Sequence, residues 1–182
     1  NVDPGSTLSI GAAGTVNAGQ LILASAPTIA AGATINADEL SLAASTNAAG
    51  ASIDVADLLT IDAGLDVTGG AFTGATATVN VNGGTFTPGG SLSVATLNLA
   101  GGAVALGATD DLTVTDGLEL SAGSSLDTST IGTLTTTAAA VGIGPGSSLT
   151  LDQDLAAGGL NLAGTLSMGA TNNIEISGGG PL

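Results

Sequence analysis

Short apolar–polar–apolar triplets recur along this 182-residue chain, among them Leu21/Leu23, Leu40/Leu42, Leu59/Ile61, Val79/Val81, Leu97/Leu99 and Leu118/Leu120. An apolar period of two puts the flanking side chains on one face of an extended segment and the middle one on the other. A helix needs a period of about 3.6, so the same pattern argues against helix. The triplets begin roughly five to eight residues apart, with Gly, Asn, Asp, Ala or Pro between them, which describes short strands joined by tight corners.

Equivalent triplets recur at a longer interval. Leu21 to Leu40 and Leu40 to Leu59 are each 19 residues, Leu59 to Val79 is 20, and Val79 to Leu97 is 18. The match extends past the apolar positions: Ala37-Asp38-Glu39-Leu40-Ser41-Leu42 aligns with Ala56-Asp57-Leu58-Leu59-Thr60-Ile61. A repeat of this length with three short strands predicts an all-β fold, a three-sided parallel β-solenoid (β-helix) of about 19 residues per coil. Residues 1–182 read as a single such domain, and 182 divided by 19 gives nine to ten coils. At about 4.8 Å between stacked strands, that is a rod on the order of 45 Å long. A β-sandwich, the rival arrangement, has longer strands and turn signals every ~8–12 residues. Between 121 and 148 the triplets follow no clear register.

Composition then limits the chemistry. The chain has no Lys, Arg, His, Cys, Trp or Tyr, against 15 Asp plus Glu, so its formal net charge is −15. Disorder does not fit, because 43% of the residues are hydrophobic and can bury a core. No side-chain salt bridge can form, so each carboxylate must be solvated, hydrogen-bonded or paired with a cation from solution. Nucleic acid and anionic membrane surfaces, both of which recruit Lys and Arg, are excluded as expected partners. Zero cysteine removes disulfides and zinc–thiolate sites. The opening Asn1-Val2-Asp3-Pro4-Gly5-Ser6 lacks the basic region and apolar core of a secretory signal and reads as a mature or trimmed start. No apolar run is long enough for a membrane-spanning helix. A membrane barrel would need aromatic girdles, and Phe72 and Phe86 are the only aromatics.

Without His, Cys or Lys, most nucleophile–base pairs are impossible, and the expectation is that the chain is not an enzyme. Thr109-Asp110-Asp111 could supply paired carboxylates, but adjacent strand residues point to opposite faces, so these read as solvated turn acids. Gly142-Ile143-Gly144-Pro145-Gly146 lacks the lysine of a phosphate loop and reads as a corner. Calcium, which favours hard oxygen ligands, is the metal to consider. Its candidate ligands are Asp152 and Asp154 flanking Gln153, Asp62 and Asp66 bracketing another corner, and Asp38 and Asp57 one coil apart, with Asp116 equivalent further on. Asn80 and Asn98 predict an outward amide ladder. The outward series Ser41, Thr60, Asn80, Asn98, Glu119 and Asn161 is too mixed for a regular ice-binding threonine array.

Runs such as Gly84-Thr85-Phe86-Thr87-Pro88-Gly89-Gly90-Ser91-Leu92-Ser93-Val94 resemble bacterial autotransporter-associated β-strand repeats and related exported surface proteins. That resemblance implies a β-helix outside the cell with a structural or adhesive role. Coil character runs from Leu8 through Ile176 with no capping helix in the pattern. Uncovered solenoid ends template further strand pairing. The expectation is therefore an extracellular or cell-surface structural protein, a homo-polymer built through its solenoid ends into a filament, fibre or matrix, with divalent cations offsetting carboxylate repulsion. The alternative is an adhesin or glycan-binding module of a larger surface protein, although sugar sites favour aromatic platforms that this chain lacks.

Overall fold

The computed structural model describes residues 1–136 and 139–178. Every regular element among them is a β-strand, every strand pairing is parallel, and together they form a solenoid of about nine turns. Each turn has three faces. The first is built from short strands such as Thr28–Ile29, Leu65–Asp66, Thr85–Thr87 and Ser148–Leu151. The other two are usually one long strand bent at a corner, as in Thr15–Leu23, Thr34–Leu42, Ser52–Ile61, Leu92–Ala100 and Leu112–Ser121.

The bend is written into the burial pattern. In Thr34–Leu42 the buried residues are Ile35 and Ala37, then Leu40 and Leu42. The odd step from 37 to 40 breaks the alternation of a flat strand, and inward side chains can continue on both sides of it only if the chain turns. Where a neighbouring coil carries one residue more at this corner, the register slips locally, between Ala37 and Glu39 and again between Val94 and Thr96.

Stacking follows the sequence repeat. On the third face Leu21, Leu40, Leu59, Val79, Leu97, Leu118, Val141 and Leu160 lie in one column. The stretch 121–148, which has no readable register in the sequence, belongs to a wider turn: Leu112 pairs with Leu134, Gly117 with Ala140 and Ser125 with Ser148, spacings of 22 to 23. The extra residues sit in corners, so the faces stay aligned. Nineteen is thus the commonest coil length in that column, and spacings between coils vary from 17 between Ser148 and Thr165 to 23.

The interior is a continuous stack of Leu, Ile, Val and Ala, with Phe86 fully buried and set edge-on to Phe72 at a centroid distance of 5.2 Å. Each fully buried aliphatic side chain contributes about 1.5–3 kcal/mol. Corners depend on glycine where coils press together: Gly84 has φ +65°, and a Cβ there would overlap the carbonyl oxygen of Ala63 in the preceding coil.

Phe86→Ala would remove the largest fully buried side chain of this stack and is expected to cost about 3–5 kcal/mol. Chemical denaturation followed by far-UV circular dichroism checks it; a loss under about 1 kcal/mol would mean the Phe86 site is loosely packed.

Candidate functional site

The polar groups of the rod are arranged by the same stacking. On the second face Asn17, Asn36, Asp54 and Thr73 are successive partners. The Asn36 amide donates to Asn17 Oδ1 at 2.7 Å, and the Thr73 hydroxyl donates to Asp54 at 2.7 Å. Asn17, Asn36 and Asp54 line a shallow groove of about 440 Å³ together with Ala18, Gly19, Ala37, Asp38 and Ala56. A second groove, about 390 Å³, lies on the first face where Gly64 supplies no side chain between Ser45 and Thr85, with Asn47, Asp66 and Thr87 beside it. Both are open, mix polar and apolar surface, and have no aromatic lining.

The predicted calcium candidates fall at several corners. Asp38 and Asp57 are exposed at one corner of adjacent coils, where two residues of the later coil, Ala56 and Asp57, oppose Asp38. Asp116 sits at the same corner three coils on, with Ala77 and Ala95 between. Asp62 lies between the third face and the first and accepts a hydrogen bond from the Asn82 amide of the next coil at 2.9 Å. Asp66, half-buried on the first face, accepts from the backbone N–H and hydroxyl of Thr68. Asp152 and Asp154 occupy a corner as expected, and Asp154 accepts from the backbone N–H of Asn173 at 2.8 Å. Among the described residues no three carboxylates come together as a metal-binding group.

Asp110 and Asp111 lie in a corner and serve separate partners. Asp110 accepts from the Gly107 N–H at 2.8 Å, while Asp111 accepts from the N–H and hydroxyl of Thr133 one coil later. The turn placement agrees with the sequence reading, but these acids are hydrogen-bonded as well as solvent-facing. In the glycine-rich segment, Gly142 and Ile143 end a strand and the corner proper begins at Gly144. The Asn80–Asn98 ladder forms, with the Asn98 amide donating to Asn80 at 2.8 Å. The mixed outward series is confirmed as a column, with Gly142 filling the step between Glu119 and Asn161. A Cβ at 142 would overlap the Glu119 carboxylate, which lies across it.

Sequence reasoning missed this coil-to-coil satisfaction of the acids. Asp54–Thr73, Asp62–Asn82, Asp111–Thr133 and Asp154–Asn173 each join a carboxylate to a donor 19 to 22 residues later. The signal was an acid followed, one repeat on, by Thr or Asn. Comparison with protein families, with curated proteins and with solved structures finds no match to the chain.

Two carboxylates are held below the usual range. Thr68 lowers Asp66 through its hydroxyl and then its N–H, and Ser129 does the same for Asp127. A depressed folded pKa stabilises the fold above the unfolded value near 3.9, and that contribution disappears as pH falls through the lowered value. Thr68→Val removes the larger donor. The Asp66 carboxyl is expected to titrate higher in the variant, and the small stability gap from wild type should close in acid; carbon-detected NMR titration reads the first and thermal melts the second. An unchanged Asp66 titration would rule out the Thr68 hydroxyl as the cause.

Proposed function

We propose that this chain is an extracellular structural protein whose solenoid stacks end to end, building a surface filament, fibre or matrix. The observation that supports it is the in-register parallel stacking itself, in which each coil pairs with the next through the same faces and so accepts a further coil on the same pattern. Toward one end Leu162 and Ile174 are 49% and 46% exposed, on strands Gly159–Leu162 and Ile174–Ile176 that pair on one side among the described residues. At the other, Val2, Leu8 and Val16 are only partly covered. A second copy stacked on the rod would extend these columns through the same parallel pairing. Such a contact is heterologous and propagates.

The resemblance to autotransporter-associated β-strand repeats supports placement outside the cell. Divalent cations enter this reading as counterions: Asp38 and Asp57 on adjacent coils, Asp62 and Asp66, and Asp152 and Asp154 are the acids whose repulsion calcium would reduce. The second reading, an adhesin or glycan-binding module, draws on the two open grooves. Their hydroxyl, amide and carboxylate linings could bond sugar hydroxyls, but neither offers an aromatic platform.

Electron microscopy of the purified chain, with calcium and after chelation, tests the filament. Uniform filaments are expected in calcium, and Leu162→Asp with Ile174→Asp should abolish them while leaving the circular dichroism of the rod unchanged. Isolated short rods under both conditions would refute end-to-end assembly and favour the display module, for which a screen against immobilised glycans is the next assay.

A further inference from the structure

Asn82 is the one asparagine in the chain that precedes a glycine; the others precede Val, Ala, Leu, Ile or Asn. It is exposed at the corner between strands Thr78–Val81 and Thr85–Thr87. Its backbone N–H donates to the Ile61 carbonyl at 2.8 Å, and its side-chain amide donates to Asp62 Oδ1 at 2.9 Å, both in the preceding coil. Among the described residues the Gly83 N–H has no hydrogen-bond acceptor. Packing also fixes the dipeptide, because a Cβ at 83 would overlap the Asp62 carbonyl oxygen.

A free backbone nitrogen without a neighbouring Cβ, next to an exposed asparagine amide, is the arrangement in which a peptide chain attacks its own side chain. We infer that Asn82 is a self-modifying site that converts through a succinimide to aspartate and isoaspartate, at a rate set by its hydrogen bond to Asp62. Gly83 N bonds to Asn82 Cγ and gives its proton to solvent. The Cγ–Nδ2 bond breaks as Nδ2 takes a proton from solvent, and the nitrogen leaves as ammonia. Water then opens either carbonyl of the five-membered ring. One water enters and one ammonia departs, with no change in oxidation state.

Asp62 opposes the first step. Holding Nδ2 toward the preceding coil fixes the side-chain torsions and keeps Cγ from swinging onto Gly83 N. Once conversion occurs, the contact reverses in sign. The donor facing Asp62 becomes a carboxylate, and two like charges meet between coils. Isoaspartate also inserts a methylene into the backbone at a corner with no spare room, since Gly84 already presses on the Ala63 carbonyl. Modification therefore loosens the contact between these two coils and gives the rod a clock that runs from the moment it folds.

The test is to hold the purified chain at mildly alkaline pH and follow intact mass for the exchange of NH for O, with isoaspartate measured by enzymatic carboxyl methylation. Conversion is expected at Asn82 alone, absent in Asn82→Gln, and several-fold faster in Asp62→Ala. Asp62→Asn keeps an acceptor oxygen and should stay near the wild-type rate, which separates restraint from a general loosening of the fold. No conversion at 82, equal conversion at other asparagines, or an Asp62→Ala rate no faster than wild type would overturn the inference.

Discussion

The parallel hydrogen-bond ladder between successive coils is the interaction on which the rest of the molecule depends. In-register parallel pairing places each side chain against its counterpart one coil later, so the sequence is read in columns. An inward-facing column is apolar for most of its length, as the one from Leu21 to Leu160 is throughout; where Thr46 enters the column of Leu65 and Phe86, its hydroxyl donates to the Ala44 carbonyl. Changes in coil length go to the corners, where they do not disturb the faces. The wide turn that pairs Gly117 with Ala140 shows this: its strands keep their inward residues Leu118 and Val141 aligned across a spacing of 23.

Columns also determine how a chain with −15 charge and no basic side chain tolerates its acids. Like charges stacked at strand spacing would repel strongly, yet the structure sets Asp54 against Thr73 and Asp62 against Asn82. A neutral donor one coil away stabilises the carboxylate without the desolvation that an ion pair would bring. The acids at corners reach solvent, where those more than roughly 8 Å apart are screened at physiological ionic strength. The rod therefore needs no positive side chains.

Much of this architecture was legible in the sequence. The third-face column could be read directly because its apolar pairs, Leu40/Leu42 through Leu97/Leu99, keep both their alternation and their spacing. The stretch 121–148 could not be, because corner insertions there shift the period while the strands stay short: Leu134–Thr135 has only two residues. Burial adds to the difficulty, since Thr128, Thr136 and Ser147 turn inward and break the apolar code. The candidate acids were found as residues, but their partners were not. Pairing Asp111 with Thr133 or Asp154 with Asn173 requires the coil register, which only the backbone supplies.

The proposed filament, the counterion acids and the Asn82 clock all assume that outward residues 18 to 23 apart are axial neighbours. The absence of cysteine allows this to be measured by spin labels introduced in pairs, with Ser41→Cys held fixed and the second label at Asn80, Glu119 or Asn161. These sites lie two, four and six coils from Ser41. Electron–electron dipolar spectroscopy should give separations rising linearly, near 10, 19 and 29 Å before label length, from about 4.8 Å per coil. Separations that fail to grow with coil number would contradict the solenoid itself.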